Sequence, residues 1–504
     1  MYKILRADKD TYITDRVIKG VRVHSGNVGA AGSLDLFKLY GHTFSSSVPN
    51  IELSRILIHF DLDPLRDLVA AGRVDITNPS FSCLLKLFDV YGGQPTPTNF
   101  TVIVSPLSRS FDEGLGRDVV YYGDNDSCNF LTGSRTQGVW LLSGCAQGGG
   151  LPGTVDFITA STAINAGTSL EVSNEFITGE EDLSADVTTI VSATLAGLLP
   201  DEGYRIALDS THEVDSYSYF VKRFGARTAF NGDKRPQLIV KFDDSVQDDS
   251  TSLTFDSSGS IFLYNQIGQR FANIMSGSAL IPITGSNSLI LKMQTEISGG
   301  HYTLVFTGSQ HKRGMHYVTG AYSASVFLSS TDSTLQTKLI ASGNVKFKPI
   351  WGSLDGTLAF LTGSTIVAYP PSRGPSAGNK RFVVNAMVRE SYATDEETIV
   401  RVNIFDHTSP LIQIVRVPTI LPGIVIRDVH YRIRDVVTNN IIVPFDTVKN
   451  STRLSSDDAG MFFMLDTSNL TEDRSYIIDV LIVTAGHQET FKAASSAFRV
   501  SDLR

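Results

Sequence analysis

The chain has 504 residues, too many for one hydrophobic core, so about two to four domains are expected. Charged residues make up 19% and the net charge is −9 with no basic block, which leaves a nucleic-acid partner without electrostatic support. No apolar run reaches the roughly 18 residues of a membrane-spanning helix, so no membrane partner is expected either.

In chain order, residues 1–242 read as short strands broken by Gly, Asn, Asp, Ser and Pro. Residues 10–14 open with a β-favouring triplet, and 21–47 are glycine-rich and irregular. In 54–62, Ile56, Ile58 and Phe60 share one face of a strand. Asp63 and Pro64 then cap a short helix that Gly72 ends. The nearly continuous apolar run from Ser82 reads as a central strand, and 101–105 is another, closed by Pro106. A helix is expected over 184–198, with Ser184 as N-cap and Val187, Ile190, Val191, Leu195 and Leu198 on one face. A strand follows from Tyr204 to Leu208.

Residues 222–242 combine a basic run, a turn at Gly232 and Asp233, and a strand from Gln237 that Arg235-Pro236 opens. Alternation of Leu238, Val240 and Phe242 with Gln237, Ile239 and Lys241 predicts a half-buried strand, and the acidic run 243–252 reads as a polar linker. Between residues 112 and 182 the signals are weak, as in an elaborated loop region, and long loops in compact domains carry interactions.

Residues 251–371 hold strands near 260–264, 288–293, 302–306, 324–328 and 357–361, with turns at Gly285, Gly299, Gly308 and Gly363; this pattern predicts a β-sandwich. The proline-rich stretch from Pro370 reads as a semi-rigid linker. Residues 380–504 form a third unit, with strands near 382–388 and 398–405 and a hairpin turning at 438–440. Further strands start near 457, at Tyr476 and at Phe498. Tyr476 behind Leu470-Thr-Glu-Asp-Arg resembles the tyrosine corner of immunoglobulin-like sandwiches. The expected class is therefore mostly β, with domains at 1–243, 251–371 and 380–504: a jelly roll carrying one or two short helices, then two Ig-like β-sandwiches.

Several motifs, taken in order, are similar to the jelly-roll modules called DNRLRE-type domains. They are 8–13, 54–62, Ser110-Phe-Asp-Glu-Gly114, the helix with 203–208, Lys222-Arg-Phe-Gly, and 234–240. Such modules occur on bacterial surface proteins and in tailed-phage virion proteins, and no catalytic site comes with them. The N-terminus runs straight into charged, strand-like sequence with no secretion signal, so the resemblance implies a virion structural protein made in the host cytoplasm. It would sit in the neck or collar, tail or baseplate and act through interfaces with other virion proteins, as a homo-oligomer or symmetric repeat. A capsid decoration protein and a glycan-binding attachment module are the alternatives; Trp140 and Trp351 are the chain's two tryptophans for a sugar platform.

No catalytic, cofactor or metal site is expected. Asp112 and Glu113 are adjacent, so on a strand they point to opposite faces and cannot flank one glycosidic bond. Asp124, Asn125, Asp126 and Asn129 offer oxygens to Ca²⁺ but lack the glycine and terminal glutamate of a Ca²⁺ loop, so they read as an Asx-type turn, and the same holds for Asp8, Asp10 and Asp15. His311 and His316 make poor zinc geometry without further ligands, and Gly148–Gly150 lacks a phosphate loop's Lys, so it reads as a flexible loop. The sparse, odd set Cys83, Cys128 and Cys145 argues against a disulfide framework; a Cys128–Cys145 bridge and buried free thiols both stay open. Candidate interface residues are Tyr121, Tyr122 and Trp140, as exposed anchors or as core, and Arg223, Arg227 and Arg235 within a basic cluster with Lys222 and Lys234. That cluster faces either an acidic neighbour or solvent.

Overall fold

The computed structural model describes all residues except 42–49, 91–96, 124–126, 161–163, 165–168, 252, 269, 278–279, 371–381, 407–423, 485–486 and 502–504. The expected oxygen cluster at 124–126 and nearly all of the proline-rich linker lie outside the described residues. The chain is mostly β and divides into two compact units. One comprises residues 3–67 and 81–241; the other comprises 1–2, 68–80 and 242–504. No described helix is long and apolar enough to cross a membrane.

The 3–241 unit is built on a ten-stranded, barrel-like sheet. Its strands are β1 (Tyr2–Thr14), β2 (Ser33–Gly41), β3 (Asn50–Phe60), β4 (Ser82–Leu87) and β5 (Phe100–Pro106). They continue with β6 (Val172–Phe176), β7 (Leu183–Asp186), β8 (Tyr204–Leu208), β9 (Tyr219–Gly225) and β10 (Gln237–Lys241). The order is β6-β5-β8-β3-β1-β10-β4-β7, with β2 joining β9 to β3. The two end strands meet: the Ser184 amide on β7 donates to Asn174 Oδ1 on β6 at 3.3 Å. On the other side the run following β4 joins β9, through Val90 N–H to Arg223 O at 3.0 Å and Gly225 N–H to Phe88 O at 3.1 Å.

Several local readings are corrected here. β3 buries both faces, since Leu57 is as enclosed as Ile56, Ile58 and Phe60, and β10 likewise hides Ile239 and Gln237. Helix α1 (Asp63–Ala70) ends as expected, Gly72 taking φ +69° while its amide bonds the Val69 carbonyl. A second helix, α2 (Thr188–Leu195), starts later than the apolar spacing suggests, with Val187 at its N-cap. Ser184 belongs to β7 instead, paired with Lys86, because residues 183–186 complete the ladder on β4. The Asp186 carboxylate then turns the chain by accepting the Thr188 amide at 3.0 Å.

The other unit carries an eight-stranded and a nine-stranded sheet. In the first, β11 (Ser258–Tyr264), β12 (Leu289–Ile297), β13 (Gly300–Arg313), β14 (His316–Phe327), β15 (Val345–Ser353), β16 (Ala359–Thr362) and β17 (Ile366–Tyr369) follow in sequence. The main order is β17-β15-β12-β13-β14-β11, with β16 also on β15 and the two-residue strand Leu253–Thr254 beside β17 as the eighth. Gly308, expected in a turn, lies mid-strand in β13 between Leu289 and Ala324. A Cβ there would stand 2.7 Å from the Trp351 ring, so the glycine makes room for the largest side chain of this core. Helix α3 (Ser333–Ser342) has no expected counterpart; Asp332 caps it at one end and Gly343, at φ +70°, ends it at the other.

The second sheet holds β18 (Phe382–Met387), β19 (Glu397–Asp406), β20 (Val429–Asp435), β21 (Ile441–Val443), β22 (Ser455–Asp457), β23 (Gly460–Asp466), β24 (Arg474–Thr484) and β25 (His487–Ser501). Their order is β21-β20-β24-β25-β18-β19-β23-β22, with the short strand Ser391–Ala393 beside β25 as the ninth. The 438–440 hairpin forms as read, but residues from Asp457 make a second hairpin, β22 to β23, rather than one strand. The acidic run expected to be a linker is bound into this unit. Asp248 N–H reaches Ser456 O, Ser456 N–H reaches Val246 O at 2.8 Å, and Arg453 bonds Asp243 and Ser245. Its aspartates are satisfied, Asp243 by the Ser245 amide and Arg453, Asp244 by the N-terminal ammonium, Asp248 by the Ser250 amide, and Asp249 by the Ser260 amide and Arg427, which is why a polar run packs.

The tyrosine corner is present in full geometry. Tyr476 is enclosed; its Oη donates to the Thr471 carbonyl at 2.9 Å and accepts the Thr471 amide at 2.8 Å. Replacing Tyr476 with phenylalanine keeps the ring and strips both bonds. We expect a loss of about 1–3 kcal/mol in chemical denaturation, with an unchanged fold by circular dichroism. A loss near zero would mean that the corner is decorative.

Candidate interaction surface

The loop region after β5 is organised from the inside outward. Beneath it lies a cluster of Ile13, Leu57, Leu107, Phe111, Cys128, Trp140, Cys145 and Phe157. Its backbone has little regular ladder, so buried side chains take over that task. Asn27 donates to the carbonyls of Glu113 and Cys128, both at 2.8 Å, and accepts the Gly116 amide at 2.8 Å. Asn129 Oδ1 accepts the amides of Leu131 and Thr132, each at 2.9 Å. The Asp156 carboxylate, wholly buried, accepts the amides of Leu141, Leu142 and Gln147 at 2.8–3.1 Å.

Two arginines clamp the same loops from the sheet. Arg55 on β3 is bidentate to Glu213 at 2.9 and 2.7 Å and donates to the Gly144 carbonyl at 2.6 Å. Arg205 on β8 donates to the Cys145 carbonyl at 2.9 Å and lies 4.2 Å over the Phe157 ring. Burial first, and then the positive charge of Arg55, lower the Arg205 guanidinium to about 10. The three cysteines are free and buried, and burial pushes the Cys128 thiol far up and the Cys145 thiol up to about 12. Gly148–Gly149, expected to be a flexible loop, pairs in parallel with Phe157–Ile158. A Cβ at Gly148 would stand 2.8 Å from the Phe157 ring, so these glycines serve close approach.

On this pinned scaffold apolar side chains face outward: Leu115, Val120, Tyr121, Leu131, Val139, Leu141, Leu142 and Leu151. Trp140 N–H bonds Leu131 O and Thr132 pairs with Val139, which sets Leu131 beside the 139–142 run. Of the three expected aromatic anchors, Tyr121 is 84% exposed and Tyr122 is partly so. Trp140 is 4% exposed and donates its indole N–H to the Asn129 carbonyl at 3.0 Å, so it is core. The exposed neighbours of Trp140 escaped the sequence reading because Val139-Trp-Leu-Leu142 looks like one buried run. The alternation that would separate inside from outside is missing, and Asp156 imposes the turn from far along the chain.

The cations of the basic cluster are bonded within the chain, and Arg235 is still exposed. Arg223 is bidentate to Asp35 at 2.7 Å, Arg227 grips Glu113, and Arg235 Nε donates to the Ala229 carbonyl at 3.0 Å. Lys234 reaches the Asp89 carbonyl at 3.2 Å. Lys222, expected on a solvated edge, is fully enclosed, paired with Asp89 and set against the rings of Phe176 and Phe224. Asp112 and Glu113 diverge, Asp112 accepting the Arg135 amide at 2.6 Å. Asp8, Asp10 and Asp15 separate as well: Asp8 bonds His59 at 2.6 Å, Asp15 the Leu53 amide at 2.8 Å and Asp10 the Arg227 amide. His311 lies on β13 and His316 opens β14, across the turn between them. No group of three or more metal-ligating residues occurs among the described residues.

No protein-family model matches the chain, and no curated protein matches it. Among solved structures, the crystal structure of chicken CNTN1 FN1-FN3 domains is similar at 10% identity and a TM-score of 0.15, covering 64% of this chain and 81% of that one.

Proposed function

We propose that this chain is a non-enzymatic structural protein of a tailed-phage virion, working through subunit interfaces in the neck or collar, tail or baseplate. The observation behind this reading is the loop surface of the 3–241 unit. Buried Asn27, Asn129, Asp156, Arg55 and Arg205 hold its backbone in one conformation while it presents Tyr121, Leu131, Val139, Leu141 and Leu142 to solvent. Adjacent exposed apolar side chains on a preorganised support are what a docking surface needs, because little entropy remains to be lost on binding. The motif order similar to DNRLRE-type modules supplies the virion context. Neighbouring virion proteins, or further copies around a symmetry axis, are the partners.

The test is incorporation. Antibodies against the folded chain should decorate tailed particles at a position repeated with the particle's symmetry. The double variant Leu141→Asp, Leu142→Asp should fold yet be depleted from particles at least tenfold. Normal incorporation of the variant would overturn this surface, and absence of the wild-type chain from particles would overturn the virion assignment. A compact monomer that instead binds bacterial polysaccharide would replace both with the attachment-module reading.

A further inference from the structure

One buried carboxylate in the 3–241 unit is incompletely paired. Asp10 on β1 is fully enclosed, opposite the apolar Ile58 of β3. Its Oδ2 accepts the Arg227 amide at 2.6 Å, and its Oδ1 has no hydrogen-bond partner. Its own amide donates to Glu113 Oε1 at 2.9 Å, and both carboxylate oxygens of Glu113 are taken by the Arg227 guanidinium. The charged groups around it are therefore Glu113 from the loop after β5, Arg227 from the segment after β9, and Asp8 two residues back on its own strand. With Asp10 ionised, two carboxylates lie near one guanidinium, whose side chain is 37% exposed. Protonated, Asp10 leaves the site neutral and still accepts from the Arg227 amide.

The segment that Asp10 holds, 226–235, is also tied by the Arg227–Glu113 ion pair and by Lys234 Nζ to the Asp89 carbonyl at 3.2 Å. Ala226 N–H reaches Gly32 O at 3.3 Å, the Thr228 hydroxyl reaches Ala31 O at 2.5 Å, and Arg6 reaches Gly232 O at 3.3 Å. At its crest Phe230 is completely exposed.

We propose that Asp10 is a proton-operated latch on segment 226–235, holding the segment and its exposed Phe230 in place when protonated and loosening it when ionised. Burial pushes the Asp10 carboxyl up to about 7; the Arg227 amide opposes this and the Glu113 charge adds to it. In an opened segment the same carboxyl returns to about 3.9. The closed state thus retains a proton between those two values that the open state releases. Closure is strongest in acid, weakens as pH rises through that window, and levels off above it.

Amide hydrogen exchange on the full chain, corrected for intrinsic rates, reads this directly. In the wild type, opening of 226–235 should increase by up to about tenfold per pH unit between pH 5 and 7. The amides of β5 in the same samples should show no such slope. Asp10→Asn, which mimics the protonated side chain, should hold 226–235 closed with no slope over that range. The proposal is overturned if the wild-type segment has no slope, if β5 shares the slope and the effect is global, or if the slope persists in Asp10→Asn. The comparison of the two regions within the wild type needs no variant to fold.

Discussion

Replacing Trp351 with alanine is expected to lower the unfolding free energy of the unit containing residues 242–504 by about 3–5 kcal/mol. Trp351 lies on β15 opposite Leu291 and Leu361, 2% exposed, within a core that also holds Phe255, Met293, Tyr322, Phe347 and Ile366. The chain has committed backbone to this ring, because Gly308 interrupts a long strand with a residue of poor strand propensity to let it in. A cavity of indole size cannot close without moving three strands. Urea denaturation followed by circular dichroism measures the loss. A loss below about 1 kcal/mol would show that the core collapses around the vacancy, contrary to the packing described. Gly308→Val attacks the same contact from the other side and should be similarly damaging.

Asp89→Ala should be comparably costly, about 3–5 kcal/mol, for an electrostatic reason. The Lys222 ammonium is fully enclosed, held by Asp89 and by the Gly179 carbonyl at 2.7 Å, with aromatic rings on two sides. Removing the carboxylate leaves a charge with no countercharge at a site that water does not reach. Lys222→Met combined with Asp89→Leu removes both charges and should recover most of the loss, since a buried ion pair is worth little over a well-packed apolar pair. A double variant as unstable as Asp89→Ala would mean that shape rather than charge sets the cost.

Much of the β architecture was legible in local pattern. Short apolar runs bounded by turn residues marked β3, β5, β8, β18, β19 and β24, and the Tyr476 corner needed only its offset from Thr471. Pattern failed where a distant partner overrides it. Ser184 carries every local mark of an N-cap, but the ladder on β4 recruits it into a strand. Lys222 reads as a solvated edge charge until Asp89 and Gly179 surround it. Residues 243–250 read as linker because nothing local announces Arg453 or Ser456. Helix α3 hides for the opposite reason: Leu335 is its one buried residue, so it has almost no apolar stripe to read, though Asp332 and Gly343 mark its ends. Of the candidate surface, Tyr121 and Tyr122 were singled out in the sequence as exposed anchors or core, and their exposure was left open. Trp140 and its neighbours were not legible as core or surface, because inside and outside there are decided by Asn129 and Asp156 rather than by a repeat.

The meeting of β6 with β7 has a consequence for crowding. A sheet that ends in open backbone recruits any other strand that drifts past, and the hazard grows with local concentration. In the 3–241 unit the last strands are tied to each other by the Ser184 amide and the Asn174 side chain, and the run after β4 is tied back to β9. At these points the unit offers less open backbone to a passing strand.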